Sequence, residues 1–290
     1  MAATLPICHL DGQWLPLAEA RISPLDRSFL FGDGVYEVVP VFSGRPFRFV
    51  EHFERLARSC AALRLTDPHD LDGWRAIVRG LMERNGGGDM YVYVQVSRGA
   101  DVGRAHAPLP QIPPTVFAFA APLQRPSAAQ LAQGFACVTA PDIRWARCDI
   151  KSVALLGNVL QRQLSCDVGA DETILLRDGL MMEATASTVH LVIDGVIVTP
   201  PNSLAILPGT TRSVVEELAD RLGIPRQTRT VTEAELRMAD EIWLASATKT
   251  VAAVTRLDGK AVGAGVPGPV WQRMWAGFSD LQRELATQPW

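Results

Sequence analysis

Three short stretches of this chain carry residue types suited to chemistry. Lys151 stands in Arg147-Cys148-Asp149-Ile150-Lys151-Ser152, ahead of an apolar stretch that reads as a helix over Val153 to Asp167. A lysine there is either a solvated helix-start residue or, if its amine is partly desolvated, a nucleophile that forms a Schiff base with a carbonyl. Position alone does not choose between the two. Glu183 follows Leu180-Met181-Met182 and precedes the small residues Ala184-Thr185-Ala186-Ser187. It reads either as a strand-end carboxylate facing water or as an acid beneath a cofactor ring. Pro208-Gly209-Thr210-Thr211-Arg212 opens a helix. Its free amides and two hydroxyls suit a phosphate, and equally suit a well-capped helix start.

Other polar residues are less telling alone. Arg55 lies on the polar side of a helix, where solvent exposure is the default. Tyr36 alternates with Val35 and Glu37 in a strand, so it faces either a pocket or the core. Arg104 and His106 are two apart in a long loop, a spacing with no helix or metal signature. Gly32-Asp33-Gly34 resembles a piece of a phosphate loop but lacks the third glycine and the strand-to-helix context. No GxSxG serine motif is present. The five histidines (His9, His52, His69, His106 and His190) are scattered without metal-binding spacing, so no metal site is expected.

The elements that must carry these residues follow from periodicity. Hairpins are expected around Asp11-Gly12, around Ser43-Gly44 (Gly34 to Val41 with Arg45 to Phe49) and around Asp194-Gly195 (Val189 to Ile193 with Val196 to Thr199). Phe53, Leu56, Cys60 and Leu63 recur on one helical face, and a second helix is expected over Leu71 to Arg84, ended by Gly86-Gly87-Gly88. Met90 to Ser97 alternates as a half-buried strand, and Val116 to Ala121 follows after a loop over 98–114. Glu172 to Leu176, Glu241 to Ala245 and Val254 to Leu257 read as strands. Thr210 to Leu222 and Pro269 to Leu285 read as helices, and Thr232 with Glu235 has capping-box spacing. The expectation is an α/β fold of mixed α+β type in two domains: residues 1–121, a linker over 122–127, and a larger domain over 128–290.

Composition narrows the function classes. The 290 residues are 48% hydrophobic and 20% charged, which is ordinary for a globular protein with a large core. A net charge of −3 gives no basic field for nucleic acid or anionic membrane. No apolar run approaches the roughly 20 residues of a membrane span. Met1 to Leu10 lacks the basic and apolar regions of a signal peptide. The five cysteines, without CxxC pairs, read as reduced thiols in a cytoplasmic protein.

Taken in order, the segments resemble one family. Ser23-Pro24-Leu25-Asp26-Arg27, Phe31-Gly32-Asp33-Gly34-Val35-Tyr36-Glu37 and Glu51-His52-Phe53-Glu54-Arg55-Leu56 are similar to the N-terminal signature of class IV aminotransferases, the fold type IV pyridoxal-phosphate enzymes. Asp142-Ile143-Arg144-Trp145, Cys148-Asp149-Ile150-Lys151-Ser152, Leu207-Pro208-Gly209-Thr210-Thr211-Arg212 and Asp240-Glu241-Ile242-Trp243-Leu244 continue the match at the family's spacing. The resemblance implies pyridoxal 5'-phosphate on Lys151, with Lys151 also moving the substrate proton. It implies Glu183 at the pyridine nitrogen and Leu207 against the ring. Arg55, Thr210, Thr211 and Ser246 would hold the phosphate.

Tyr36, Arg104 and His106 stand where the D-amino-acid transaminase subgroup binds the substrate carboxylate. Because the loop of that subgroup serves the neighbouring subunit, a homodimer with the active site at the subunit interface is implied. The expected reaction moves the amino group of a D-amino acid such as D-alanine to a 2-oxo acid such as 2-oxoglutarate. Alternatives within the fold are a branched-chain L-aminotransferase, an (R)-amine transaminase and aminodeoxychorismate lyase. A more distant one is a weakly active cofactor-binding or scaffold protein. Ala184, Thr188, Ala247 and Lys249-Thr250 depart from the family pattern near the cofactor.

Overall fold

In the computed structural model, which describes residues 4–287 and residue 290, the strands of the first third join one antiparallel sheet. Its members are β1 (Ile7–Leu10), β2 (Gln13–Pro16), β3 (Gly34–Phe42), β4 (Arg45–Pro46), β5 (Met90–Ser97) and β6 (Thr115–Pro122), in the spatial order β2-β1-β6-β5-β3-β4. The alternation in β5 explains why the strand forms: Met90, Val92, Val94 and Val96 are buried on one face. Against that face pack α2 (Phe49–Ala62) and α3 (Leu71–Arg84), which follow the short α1 (Arg27–Phe31). Phe53, Leu56, Cys60, Trp74, Ile77 and Leu81 come from these helices and complete the core with Val35 and Val39 of β3. Asp70 caps α3 by accepting from Gly73 N at 2.8 Å.

Two expectations fail locally in this region. Phe49 begins α2 instead of ending a hairpin strand, because the chain turns at Arg48 through a left-handed conformation (φ 55°). The helix expected from Val153 begins at Leu156. Residues 150–153 instead lie along the edge of β3. Tyr36 N donates to Lys151 O at 3.0 Å, Val153 N donates to Gly34 O at 3.0 Å, and Ser152 bridges to Val35. Their backbone groups are satisfied by a strand that is distant in sequence, and this overrides local helix propensity.

The chain divides into two units. The first comprises Met1–Gln124, Ile150–Leu155 and Leu285–Trp290; the second comprises Arg125–Asp149 and Leu156–Glu284. The first break lies inside the expected 122–127 linker. The sequence reading differs in assigning Lys151 to the C-terminal part, whereas the bridge to β3 places it in the first unit.

The second unit holds β7 (Phe135–Pro141), β8 (Glu172–Arg177), β9 (Leu180–Ala184), β10 (Thr188–Ile193), β11 (Val196–Thr199), β12 (Arg226–Thr228), β13 (Glu241–Ser246), β14 (Thr250–Leu257) and β15 (Lys260–Ala261). They form a mixed sheet ordered β12-β11-β10-β13-β14-β7-β8-β9, with β15 paired to β14. The helices are α4 (Ala128–Gln133), α5 (Leu156–Asp167), α6 (Thr210–Arg221), α7 (Glu233–Met238) and α8 (Pro269–Ala286). Thr232 and Glu235 form the expected capping box on α7. Ile174, Val189, Leu191, Ile242, Leu244, Val254 and Leu236 fill the core.

Glu241 couples the sheet to α8. Its carboxylate accepts from Val270 N, Trp271 N and the Trp243 indole, each at 2.9 Å. Glu241→Ala would leave these buried donors unpaired and is expected to cost about 2 to 3 kcal/mol of stability in urea unfolding. A cost under about 0.5 kcal/mol, the range of an ordinary surface change, would show that the cap contributes little.

Candidate active site

Successive residues of a strand point to opposite faces, so Tyr36 and Glu37 on β3 serve two different surroundings. On the Tyr36 side, Lys151 Nζ lies 4.1 Å from the centre of the Tyr36 ring. That ring stacks on Tyr93 at 5.5 Å, and Tyr93 donates its hydroxyl to Gln95 Oε1 at 2.8 Å. The backbone ladder to β3 fixes the Cα of Lys151, and Lys151 N donates to Ser59 Oγ at 3.3 Å. The amine is therefore tethered at its base beside an aromatic wall, and the residue is half-buried.

On the other face Glu37 is wholly buried against α2. Arg55 donates Nε to Oε1 at 2.7 Å and Nη2 to Oε2 at 2.8 Å, while His52 Nδ1 meets Oε2 at 2.7 Å. His52 and Arg55 are one helical turn apart, which lets both reach one carboxylate. Burial would raise the Glu37 carboxyl, but the Arg55 and His52 charges and hydrogen bonds outweigh it and hold the group well below the usual carboxylate range. Burial pushes the His52 pKa down against the pull of Glu37, and Arg55 and Lys151 add to the depression. Because a carboxylate only accepts, His52 Nδ1 carries the proton of this hydrogen bond. Arg55, for which the sequence made exposure the default, is buried because Glu37 supplies its counter-charge.

The structure brings Arg104 and His106 together on the ring of Phe31. The Arg104 guanidinium carbon lies 5.1 Å from the ring centre, and the His106 ring packs edge-on at 5.7 Å. Both side chains are exposed. Among the described residues neither has a hydrogen-bond partner for its charged or polar tip, and no hydrogen bond or ring contact joins either to Tyr36 or Lys151.

In the second unit, Glu183 near the end of β9 is buried beside Arg144. Arg144 Nη1 pairs with Glu183 Oε1. The same guanidinium is held by Asp142 (Nε to Oδ1 at 3.0 Å, Nη2 to Oδ2 at 2.9 Å), and it donates to Ala205 O at 3.1 Å. Leu207 N donates to both Glu183 oxygens, at 3.2 and 3.3 Å. Burial raises the Glu183 carboxyl, and the Arg144 charge and Leu207 amide counter it without cancelling the shift. Leu207 leads into α6, whose N-cap is Gly209 without a side-chain cap and whose first turn carries the buried Thr210 and Thr211. A Cβ on Gly209 would lie 2.7 Å from Thr188 Oγ1, so the backbone passes too close for any side chain.

Ser246 ends β13 and accepts from Lys249 N at 3.2 Å, a bond that uses a lone pair of its hydroxyl and not its proton. Lys249 Nζ pairs at 2.6 Å with the buried Glu172, so the cation at this departure position balances a core carboxylate. Ala184 packs in the core of the second unit, which accommodates its methyl.

Sequence reasoning gave no role to Glu37, His52, Asp142 or Arg144. Glu37 had a usable signal, since a carboxylate inside an apolar alternating strand requires a buried partner, and His52 with Arg55 supplies it by helical spacing. Arg144 had none, because its partner is distant in sequence.

The depressed Glu37 pKa has a definite linkage sign. Its contribution is present above the unfolded carboxylate value, about 4.3, and is lost as pH falls below it. Wild type should lose stability in that acid range. Glu37→Gln should flatten this limb and cost about 3 kcal/mol or more at neutral pH, because the Arg55 charge is then buried unmatched. Urea unfolding at a series of pH values checks both; an unchanged acid slope would mean that Glu37 does not carry it.

Comparison with known proteins agrees with these features. The family model for amino-transferase class IV matches residues 34–257. A D-alanine aminotransferase of Staphylococcus haemolyticus is 36% identical over 270 residues, covering 93% of this chain and 95% of that protein. One of Bacillus licheniformis is 37% identical over 260 residues, covering 90% and 91%. Among solved structures, the branched-chain amino acid aminotransferase of Escherichia coli superposes with a TM-score of 0.92 at 25% identity, covering 99% of this chain and 97% of that one. A T.th. branched-chain enzyme solved with pyridoxamine 5'-phosphate gives 0.89 at 26% identity, covering 98% and 96%. With a buried acid held at Leu207, an uncapped helix start after it and a tethered lysine beside Tyr36, the chain belongs to the class IV aminotransferases.

Proposed function

We propose that this protein transfers the amino group of a D-amino acid, D-alanine or a close relative, to a 2-oxo acid such as 2-oxoglutarate, using pyridoxal 5'-phosphate. The residues present fit that cofactor. The helix start at Gly209 to Thr211, without a side-chain cap, suits a phosphate. Glu183, a buried carboxylate already fixed by Arg144 and the Leu207 amide, suits a protonated ring nitrogen. When bound, the cofactor supplies an aldehyde for amines and a ring that withdraws electrons from the substrate Cα.

The residues divide the work. Lys151 Nζ would hold the cofactor and, as a free amine, would take up the substrate Cα proton. The backbone tether to β3 fixes the base of its side chain. Glu183 would bond the ring-nitrogen proton, and the Arg144 charge opposes the rise that burial gives its carboxyl. Arg55, oriented by Glu37, and Thr210, Thr211 and Ser246 would hold the phosphate with charge-assisted and hydroxyl hydrogen bonds. Leu207 packs against the ring. Tyr36, Arg104 and His106 orient the substrate carboxylate, and the orientation decides which enantiomer offers its Cα–H to Lys151.

The pairing of Arg104 with His106 on Phe31 is the observation that carries the D-amino-acid reading. A guanidinium without an ion partner among the described residues suits an α-carboxylate, which disfavours a simple-amine substrate. The curated relatives named above are D-alanine aminotransferases, and the branched-chain structures share the fold without sharing close identity. A homodimer is supported by α5, whose Leu156, Val159, Leu160 and Leu164 are exposed at helical spacing beside exposed Ile143 and Trp145. A second copy of the chain is the proposed cover. We place the protein in the cytoplasm on its thiol content; no helix among the described residues is long and apolar enough to cross a membrane.

With 2-oxoglutarate as acceptor, wild type should turn over D-alanine about a hundredfold faster than L-alanine, and Lys151→Ala should lose the visible cofactor band and the activity. A preference for L-alanine would remove the D-specific reading, and a colourless wild type in excess cofactor would remove the cofactor. Leu160→Arg should shift the protein toward monomer in sedimentation velocity; a persistent dimer would place the interface elsewhere.

A further inference from the structure

We propose that Arg27 is a positioning residue for substrate selection: its buried guanidinium holds the 98–114 loop so that Arg104 and His106 meet on Phe31. This deepens the proposed function and rests on the carboxylate role given there to Arg104 and His106.

The loop has little packing of its own, because most side chains from Val102 to Gln111 are exposed. Its root is fixed through the backbone by the segment leading into α1: Arg27 N donates to Gly99 O at 2.9 Å, Asp101 N donates to Leu25 O at 3.2 Å, and Asp26 bridges to Ala100. The part that carries the recognition residues is held differently. Arg27, only 3% exposed, donates Nη1 to Ala105 O at 2.7 Å and Nη2 to His106 O at 2.8 Å. The same side chain donates Nε to Asp33 Oδ2 at 2.9 Å and Nη1 to Asp101 Oδ2 at 3.3 Å. Four acceptors from three parts of the chain thus converge on one planar fork, which the point charge of a lysine cannot reproduce.

The charge arrangement supports a selective role. Asp33 is shared with Arg98, which donates Nε to Oδ2 at 2.7 Å and Nη2 to Oδ1 at 3.0 Å. The carboxylates of Asp33 and Asp101 therefore balance the guanidiniums of Arg27 and Arg98. Among the described residues Arg104 has no ion partner, so its guanidinium is the one in this cluster left to meet a carboxylate. Phe31 links the anchor to the readers: its ring centre lies 4.8 Å from the Arg27 guanidinium carbon and 5.1 Å from that of Arg104, with His106 edge-on at 5.7 Å. The Gly32-Asp33-Gly34 stretch, which resembles a phosphate loop in sequence, serves here as the acidic seat for two arginines. Gly32 closes α1 in a left-handed conformation (φ 69°) with Ala154 against it, as the turn into Asp33 requires.

The test uses Arg27→Lys, Arg27→Met and Asp101→Asn in the cofactor-loaded enzyme, each alone and with Arg104→Ala. Arg27→Met and Arg27→Lys should raise KM for D-alanine about tenfold or more, with kcat within about threefold and the cofactor band unchanged. Asp101→Asn should raise KM in the same direction, which keeps the test valid if Arg27→Met folds poorly. In the Arg104→Ala background the same changes should add less than about twofold to KM, because the group being positioned is gone. Equal effects in both backgrounds, or a loss confined to kcat and thermal stability, would overturn the positioning role while leaving the carboxylate reading intact. An Arg104→Ala enzyme with unchanged KM for D-alanine would overturn the carboxylate reading and this inference with it.

Discussion

The backbone ladder between β3 and residues 150–153 is the constraint on which the chemistry of the first unit depends. Two hydrogen bonds, Tyr36 N to Lys151 O and Val153 N to Gly34 O, bring a segment far away in sequence onto the edge of a strand. The pleat then does the sorting. Tyr36 faces the lysine amine, and Glu37 faces α2, so one dipeptide provides the wall beside the proposed nucleophile and the seat for a buried arginine. A shift of one residue in this register would turn Lys151 away from Tyr36.

A second pattern runs through both units: several buried carboxylates are matched by cations. Glu37 has Arg55, Glu183 has Arg144, Glu172 has Lys249, and Asp142 has Arg144 and Arg177. Burying an unmatched charge costs several kcal/mol even after relaxation. The matched pairs differ in outcome. Glu37, with two partners, is held strongly anionic, whereas Glu183 remains raised by its burial. A raised but paired acid suits a group that must share a proton with a ring nitrogen, and a strongly ionised one suits a group that only orients an arginine.

Elements dominated by local pattern were legible in the sequence. The helix over Leu71 to Arg84 and the strand over Met90 to Ser97 form with those bounds, because an apolar face and a stop signal agree at each. Elements decided by distant partners were not. The start of α5, the exposure of Arg55 and the membership of Lys151 each depend on a residue far along the chain. The short α1 and α4 and the strand β7 went unread, since five- to seven-residue elements carry little periodicity. The candidate site followed the same division. Lys151, Glu183 and the Pro208-Gly209-Thr210 turn stand out as motifs, whereas Arg144 and the Arg27 fork are visible only once the fold brings their acceptors together.

The central claim is that Lys151 exchanges the Cα proton of a D-amino acid. The most direct measurement follows the Cα–H signal of D- and L-alanine by NMR in deuterated water, with the cofactor-loaded enzyme and no oxo-acid acceptor added. The account predicts that the D-alanine signal is lost to solvent deuterium while L-alanine is spared, and that Lys151→Ala stops the exchange. Exchange of L-alanine at an equal or greater rate, or exchange that survives Lys151→Ala, would contradict it.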